Sequence, residues 1–164
     1  MLKKSTLCLS LCLSSLTVAL VAGTSMKTSA TPDQIIAQNH LYTANKGNVG
    51  GPLAKQLQGK PVVVDIYATW CGACKNIAPT LSQLKQDYAG KANFVVLDVS
   101  DKSKANEAES KARQLGLGQF FAANKAKTGM VAIINPGTGE ILAQHYNNAN
   151  KSAYTSVLNA NLPR

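Results

Sequence analysis

The chain has 164 residues, 45% of them hydrophobic and 15% charged, with a net charge of +9. That length suits one domain of ordinary size plus an extension, and the apolar content is enough for a core, which excludes a chain disordered throughout. The basic residues are scattered and aromatics make up only 5%, which speaks for a solvated basic surface and against nucleic acid as a partner.

Residues 1–30 have the layout of a secretory signal peptide. Lys3 and Lys4 open it, residues 7–22 carry nothing more polar than Ser or Thr, and small residues offer cleavage after Gly23 or Ala30. The apolar run is shorter than the ~20 residues a spanning helix needs, and an uncleaved N-terminal membrane anchor is the alternative. Cys12 follows Leu11 rather than the small residue of a lipoprotein site, so Cys8 and Cys12 read as apolar filler of the leader. Removing Lys3, Lys4 and Lys27 leaves a charge of +6. The expected location is the periplasm or another extracytoplasmic compartment, where disulfides persist. The mature part then holds only Cys71 and Cys74, too few for a multi-disulfide scaffold.

Residues 31–51 read as an N-terminal helical extension, with Thr31 as cap, Pro32 in the first turn and Gln34 at the capping-box position. A domain follows over residues 52–164. It starts with a short helix over 52–58, stopped by Gly59. Residues 61–68 (Pro-Val-Val-Val-Asp-Ile-Tyr-Ala) form a β-branched run expected to be a central strand covered on both faces. Residues 72–88 predict a helix, with Ile77, Leu81, Leu84 and Tyr88 at helical spacing, Pro79 inside it and Gly90 beyond its end. A second strand over 93–99 completes a βαβ unit, so the two strands should be parallel. A helix over 103–115, a short helix or loop over 119–125, strands over 130–135 and 140–146 joined by Pro136-Gly137-Thr138-Gly139, and a helix over 151–162 complete the series.

The chemistry concentrates at Trp70-Cys71-Gly72-Ala73-Cys74. A strand leading into this run and then a helix places Cys71 at a helix N-terminus, where unpaired N–H groups and the helix dipole favour an anion. A thiolate is such an anion, and the setting lowers a cysteine pKa from ~8.5 into a range of about 3.5–7.5. Cys71 is then the attacking sulfur and Cys74, one turn inside, the resolving one. Gly72 and Ala73 are small enough for a tight turn and close approach of a substrate. Asp65 lies in an otherwise apolar strand. Buried, it would have a raised pKa and could move protons for Cys74; at a solvated strand end it would be unremarkable. Two cysteines are half the ligand set of a structural zinc, and neither His40 nor His145 has ligand spacing to them. Phe120, Phe121 and Met130 read either as core or as an apolar docking patch of a binding module.

The stretch from Val62 through Asp65, Trp70, Cys71 and Cys74 to Lys75, followed by Ile77-Ala78-Pro79, resembles the active-site region of the thioredoxin family, over roughly residues 52–162. The resemblance implies an α/β, thioredoxin-like fold, a central mixed four- to five-stranded sheet flanked by helices. It implies a thiol–disulfide oxidoreductase without a cofactor, with Cys71 as nucleophile, Cys74 as resolving thiol and Asp65 as buried proton-handling acid. Trp70, Gly72, Ala73, Thr128 and Gly129 would meet the substrate. The implied partners are protein thiols or disulfides and a membrane-bound or exported electron donor or acceptor. Ala73 stands where cytoplasmic thioredoxins carry proline. Gly129 stands where the family has a cis-proline, which predicts a looser loop beside the cysteines. The segment 101–129 is longer than in minimal members and is similar to exported thiol-reductase domains, which favours the reducing direction.

Overall fold

The computed structural model describes residues 47–163. The leader over 1–30, the helix start at Thr31 and His40 lie outside these residues. Among the described residues, no helix is long and apolar enough to cross a membrane.

Four strands, β1 (Val62–Tyr67), β2 (Asn93–Asp98), β3 (Met130–Ile134) and β4 (Ile141–Tyr146), form one sheet in the order β2-β1-β3-β4. β1 runs parallel to β2 and antiparallel to β3, and β3 runs antiparallel to β4. The helices are α1 (Gly72–Asp87), α2 (Lys102–Gln114), α3 (Gly118–Asn124) and α4 (Lys151–Ala160). A single 3₁₀ turn at Lys55–Leu57 replaces the short helix expected over 52–58.

Alternation along β1 divides the core. Val62, Val64 and Ile66 point to one face, where Leu97, Ala108, Ala112, Leu117, Phe120 and Phe121 join them beneath α2 and α3. Val63 points to the other, with Ile77, Leu81, Leu84, Tyr154 and Leu158 from α1 and α4. β1 thus has a strand on each side and helices on each face, which explains why its sequence is apolar almost without interruption. The exception is Asp65, on the α1 side and in register with Val96 and Val131.

Residues ahead of position 52 also pack on the sheet end. Val49 is buried and its N–H donates to the Gly139 carbonyl at 2.9 Å. Asp101 caps α2 by accepting from the Lys104 amide at 2.9 Å. Asn150 caps α4 through the Ser152 amide.

Phe120, Phe121 and Met130 are buried, so the docking-patch reading does not hold. Phe120 and Phe121 face inward from the seven-residue α3, which has too little surface to carry both an exposed aromatic face and its own attachment. Phe121→Ala is therefore expected to lower the unfolding free energy by about 3–5 kcal/mol, the usual cost of emptying a buried aromatic site; urea unfolding followed by far-UV circular dichroism measures it.

Candidate active site

β1 ends at Tyr67, and the next four residues turn into α1. The Cys71 amide donates back to the Ala68 carbonyl at 3.2 Å, closing the turn. Cys71 is the N-cap of α1, in extended conformation, and its Sγ accepts the Cys74 amide hydrogen at 3.0 Å. Sulfur therefore occupies the place where a serine or aspartate oxygen commonly caps a helix. Cys71 and Cys74 form a disulfide, with their Cα atoms 5.3 Å apart.

Both cysteines are largely buried in this oxidised state, Cys71 exposing 4% and Cys74 2% of their surface. Gly72 between them is exposed, and a Cβ on it would meet nothing within 4 Å. Trp70, 63% exposed, stands next to it. Its indole N–H donates to the Ser100 carbonyl at 2.9 Å.

Asp65 lies one layer below. It is buried, and its Oδ1 has no hydrogen-bond partner. Burial pushes its carboxyl up to about 6, and the Lys85 ammonium pulls the other way. Asp65, Cys74 and Lys85 line one groove of about 320 Å³, with Tyr67, Ala78 and Leu81 among its other walls. A carboxyl with a pKa near neutrality, opening on the same groove as the inner cysteine, is placed to accept and return a proton there. The solvated-strand-end reading of Asp65 is excluded by its burial.

The Gly129 loop closes the site from the β3 side. Gly129 has φ +85°, and a Cβ on it would lie 2.5 Å from the Ala73 Cβ. Its N–H donates to the Ile66 carbonyl at 2.8 Å and its carbonyl accepts from the Asn147 amide at 3.0 Å. The loop expected to be looser without the proline is bonded here through both the N–H and the carbonyl of Gly129. Glycine retains an N–H that proline lacks, and that donor ties the loop to the end of β1. Thr128, half-buried, precedes it.

Sequence reasoning passed over three contributors. Lys85 shares the helical stripe Cys74, Ala78, Leu81, Ser82 and Lys85, at offsets of four, seven, eight and eleven, and that periodicity was the available signal. Asn147, with φ +49°, bonds Gly129 through its backbone and Asn76 through its side chain. Ser100 joins the Trp70 loop to the end of β2. The His145 ring packs edge-on against Tyr154 at 4.7 Å. Among the described residues, no three His, Cys, Asp or Glu side chains gather as a metal-binding group.

The thioredoxin family model matches residues 48–125, which hold the cysteine pair, β1, α1, β2 and the Ser100 loop. Residues 48–125 form a thioredoxin-family domain. Among curated thioredoxin relatives, the H-type thioredoxin of Chlamydomonas reinhardtii is 53% identical over 49 residues, covering 30% of this chain and 43% of that protein. The thiol:disulfide interchange protein TxlA homolog of Synechocystis is 45% identical over 51 residues, 30% of this chain and 28% of that protein. The matches thus span less than half the length of these relatives. A solved Schistosoma mansoni thioredoxin is 29% identical, with 65% of this chain and 83% of that one covered and a TM-score of 0.44. The mixed sheet flanked by helices is the thioredoxin-like architecture, here with four strands among the described residues.

Two outcomes test the site. Because the folded pKa of Asp65 lies above its ordinary value of 3.8, this group contributes stability below about pH 4 that is lost as pH rises through 6. Asp65→Asn should therefore leave stability unchanged near pH ~3.5 and raise it by up to about 3 kcal/mol at pH ~7.5, at ~1.4 kcal/mol per unit; denaturant titrations at the two pH values read the difference. Gly129→Ala should destabilise by more than about 1 kcal/mol, from the left-handed backbone and the clash with Ala73 together, seen as a lower urea midpoint.

Proposed function

We propose that the chain is an extracytoplasmic thiol–disulfide oxidoreductase that reduces protein disulfides through Cys71 and Cys74. The observation that carries this reading is the Cys71 sulfur capping α1, bonded to Cys74 and accepting its amide hydrogen. The same amide that caps the sulfur in the disulfide favours a thiolate once the bond is reduced. The TxlA homolog of Synechocystis, a thiol:disulfide interchange protein by name, supports the same class of chemistry.

In the reduced chain the Cys71 thiolate attacks one sulfur of a partner's disulfide. The partner's S–S bond breaks, a mixed disulfide forms, and the partner's first sulfur leaves as a thiolate and takes a proton from solvent. The Asp65 carboxylate then accepts the Cys74 thiol proton through the groove that both line. The Cys74 thiolate attacks the Cys71 sulfur, the mixed disulfide breaks, and the partner's second sulfur leaves. Two electrons pass to the partner, and the chain ends as the disulfide seen in the structure. A membrane-bound or exported dithiol donor would return the electrons. Trp70 beside the open Gly72 side gives the partner chain a surface to lie against.

The test is insulin reduction with dithiothreitol as electron source. Cys71→Ala should fall to the uncatalysed rate. Cys74→Ser, reduced, freed of dithiothreitol and then mixed with insulin, should accumulate the mixed disulfide, visible as a covalent adduct by mass spectrometry. Equilibration with glutathione should put the couple nearer ~−270 mV than ~−120 mV, and the higher value would reverse the direction. Export is read separately, from the N-terminal residue of the protein recovered outside the cytoplasm: a start at Thr24 or Thr31 matches cleavage of the leader.

A further inference from the structure

Trp70 is the chain's sole tryptophan and one of its two exposed large apolar side chains among the described residues. Left alone, an indole at 63% exposure on a turn would move among rotamers. It is instead tied at its one polar atom, and the tie does not end at Ser100. Ser100 holds the Trp70 loop twice: its carbonyl accepts the indole N–H, and its Oγ accepts the Thr69 amide hydrogen at 2.9 Å. Ser100 is held in turn by Asp98. The Ser100 amide donates to Asp98 Oδ1 at 2.9 Å, and the Ser100 hydroxyl donates to the same oxygen. The other carboxylate oxygen, Oδ2, takes Lys104 Nζ at 3.1 Å. Lys104 sits in the first turn of α2, where its own amide is capped by Asp101.

We propose that Asp98, clamped by Lys104 and acting through Ser100, is a positioning residue that fixes the Trp70 side chain for docking of the partner protein. The proposal rests on the oxidoreductase reading for what Trp70 meets, but the brace itself is a matter of geometry. Its polarity is set by Asp98. A Ser hydroxyl has one hydrogen. While Asp98 takes that hydrogen, the lone pairs of Oγ are left to accept from Thr69. An amide side chain at position 98 also presents N–H donors, which compete for Oγ and for its orientation. Burial alone would push the Asp98 carboxyl upward, but the Ser100 hydroxyl and amide and the Lys104 ammonium outweigh it and hold it below its ordinary value. Asp98 is therefore ionised and accepting throughout the neutral range. Its backbone pairs with Tyr67 at the end of β1, so the brace is anchored on the sheet at the point where the active-site turn leaves it.

The experiment uses the full chain and Asp98→Asn, with Lys104→Met as the milder variant that keeps Ser100 bonded to Asp98 but unties both from α2. Fluorescence anisotropy of the reduced protein reports Trp70 alone. Asp98→Asn should lower that anisotropy and raise the KM for insulin about 3–10-fold with kcat unchanged. The rate with a small disulfide such as Ellman's reagent, which needs no docking surface, should stay within a factor of about two. Lys104→Met should shift both quantities in the same direction by less, and Asp98→Glu should restore part of the loss. Unchanged anisotropy in both variants overturns the proposal. So does an equal fall in the insulin and small-disulfide rates, which would mean the sulfur site itself was disturbed. If Asp98→Asn does not fold, Lys104→Met decides alone on the same criteria. A wild-type chain inactive on insulin would sink the function, while the anisotropy result would still decide the brace.

Discussion

The structure turns on one hydrogen bond, from the Cys74 amide to the Cys71 sulfur at the start of α1. It exists because a buried, paired strand stops at Tyr67 and the chain must reverse within four residues to begin a helix. The first amides of that helix have no carbonyl behind them, and the cap must supply an acceptor. Here the acceptor is sulfur, so the requirement that ends every helix also prepares a reactive atom. Thr69 and Trp70 belong to that same reversal, and Gly129 approaches its inner side as closely as a residue without a Cβ can.

Around this bond two carboxylates are pushed in opposite directions. Asp65 is buried between β1 and α1 with an orphan oxygen, and burial raises its pKa to near neutrality. Asp98, at the end of the neighbouring strand, is surrounded by donors and kept ionised. Two acids on adjacent strands thus take different roles by environment alone, one able to exchange a proton and the other a fixed acceptor. Lys85 moderates the first from the rim of the groove without reaching it as an ion pair among the described residues.

What the amino-acid sequence disclosed divides along a physical line. Elements defined by local pattern were legible: the apolar run of β1, the stripe of α1 and the turn after β3 all appear within one or two residues of their expected bounds. The cysteine pair and Asp65 were legible because their types are conspicuous in those settings. Long-range contacts were not. Whether Phe120 and Phe121 face inward depends on how α3 meets the sheet. The tightness of the Gly129 loop depends on an N–H meeting the Ile66 carbonyl across an antiparallel pair, which no local pattern announces. Ser100 looks like any loop serine until Trp70 is seen to reach it.

The strand order also shapes how the newly made chain arrives at this state. β1, α1 and β2 come from contiguous sequence, whereas β3 reaches β1 from more than sixty residues further on. Closing a loop of that size is slow compared with forming a helix. During vectorial synthesis both sulfurs therefore emerge before the segment that will roof them. Whatever oxidant is present in that interval meets a half-built domain, and the first bond between the two sulfurs can precede the finished sheet.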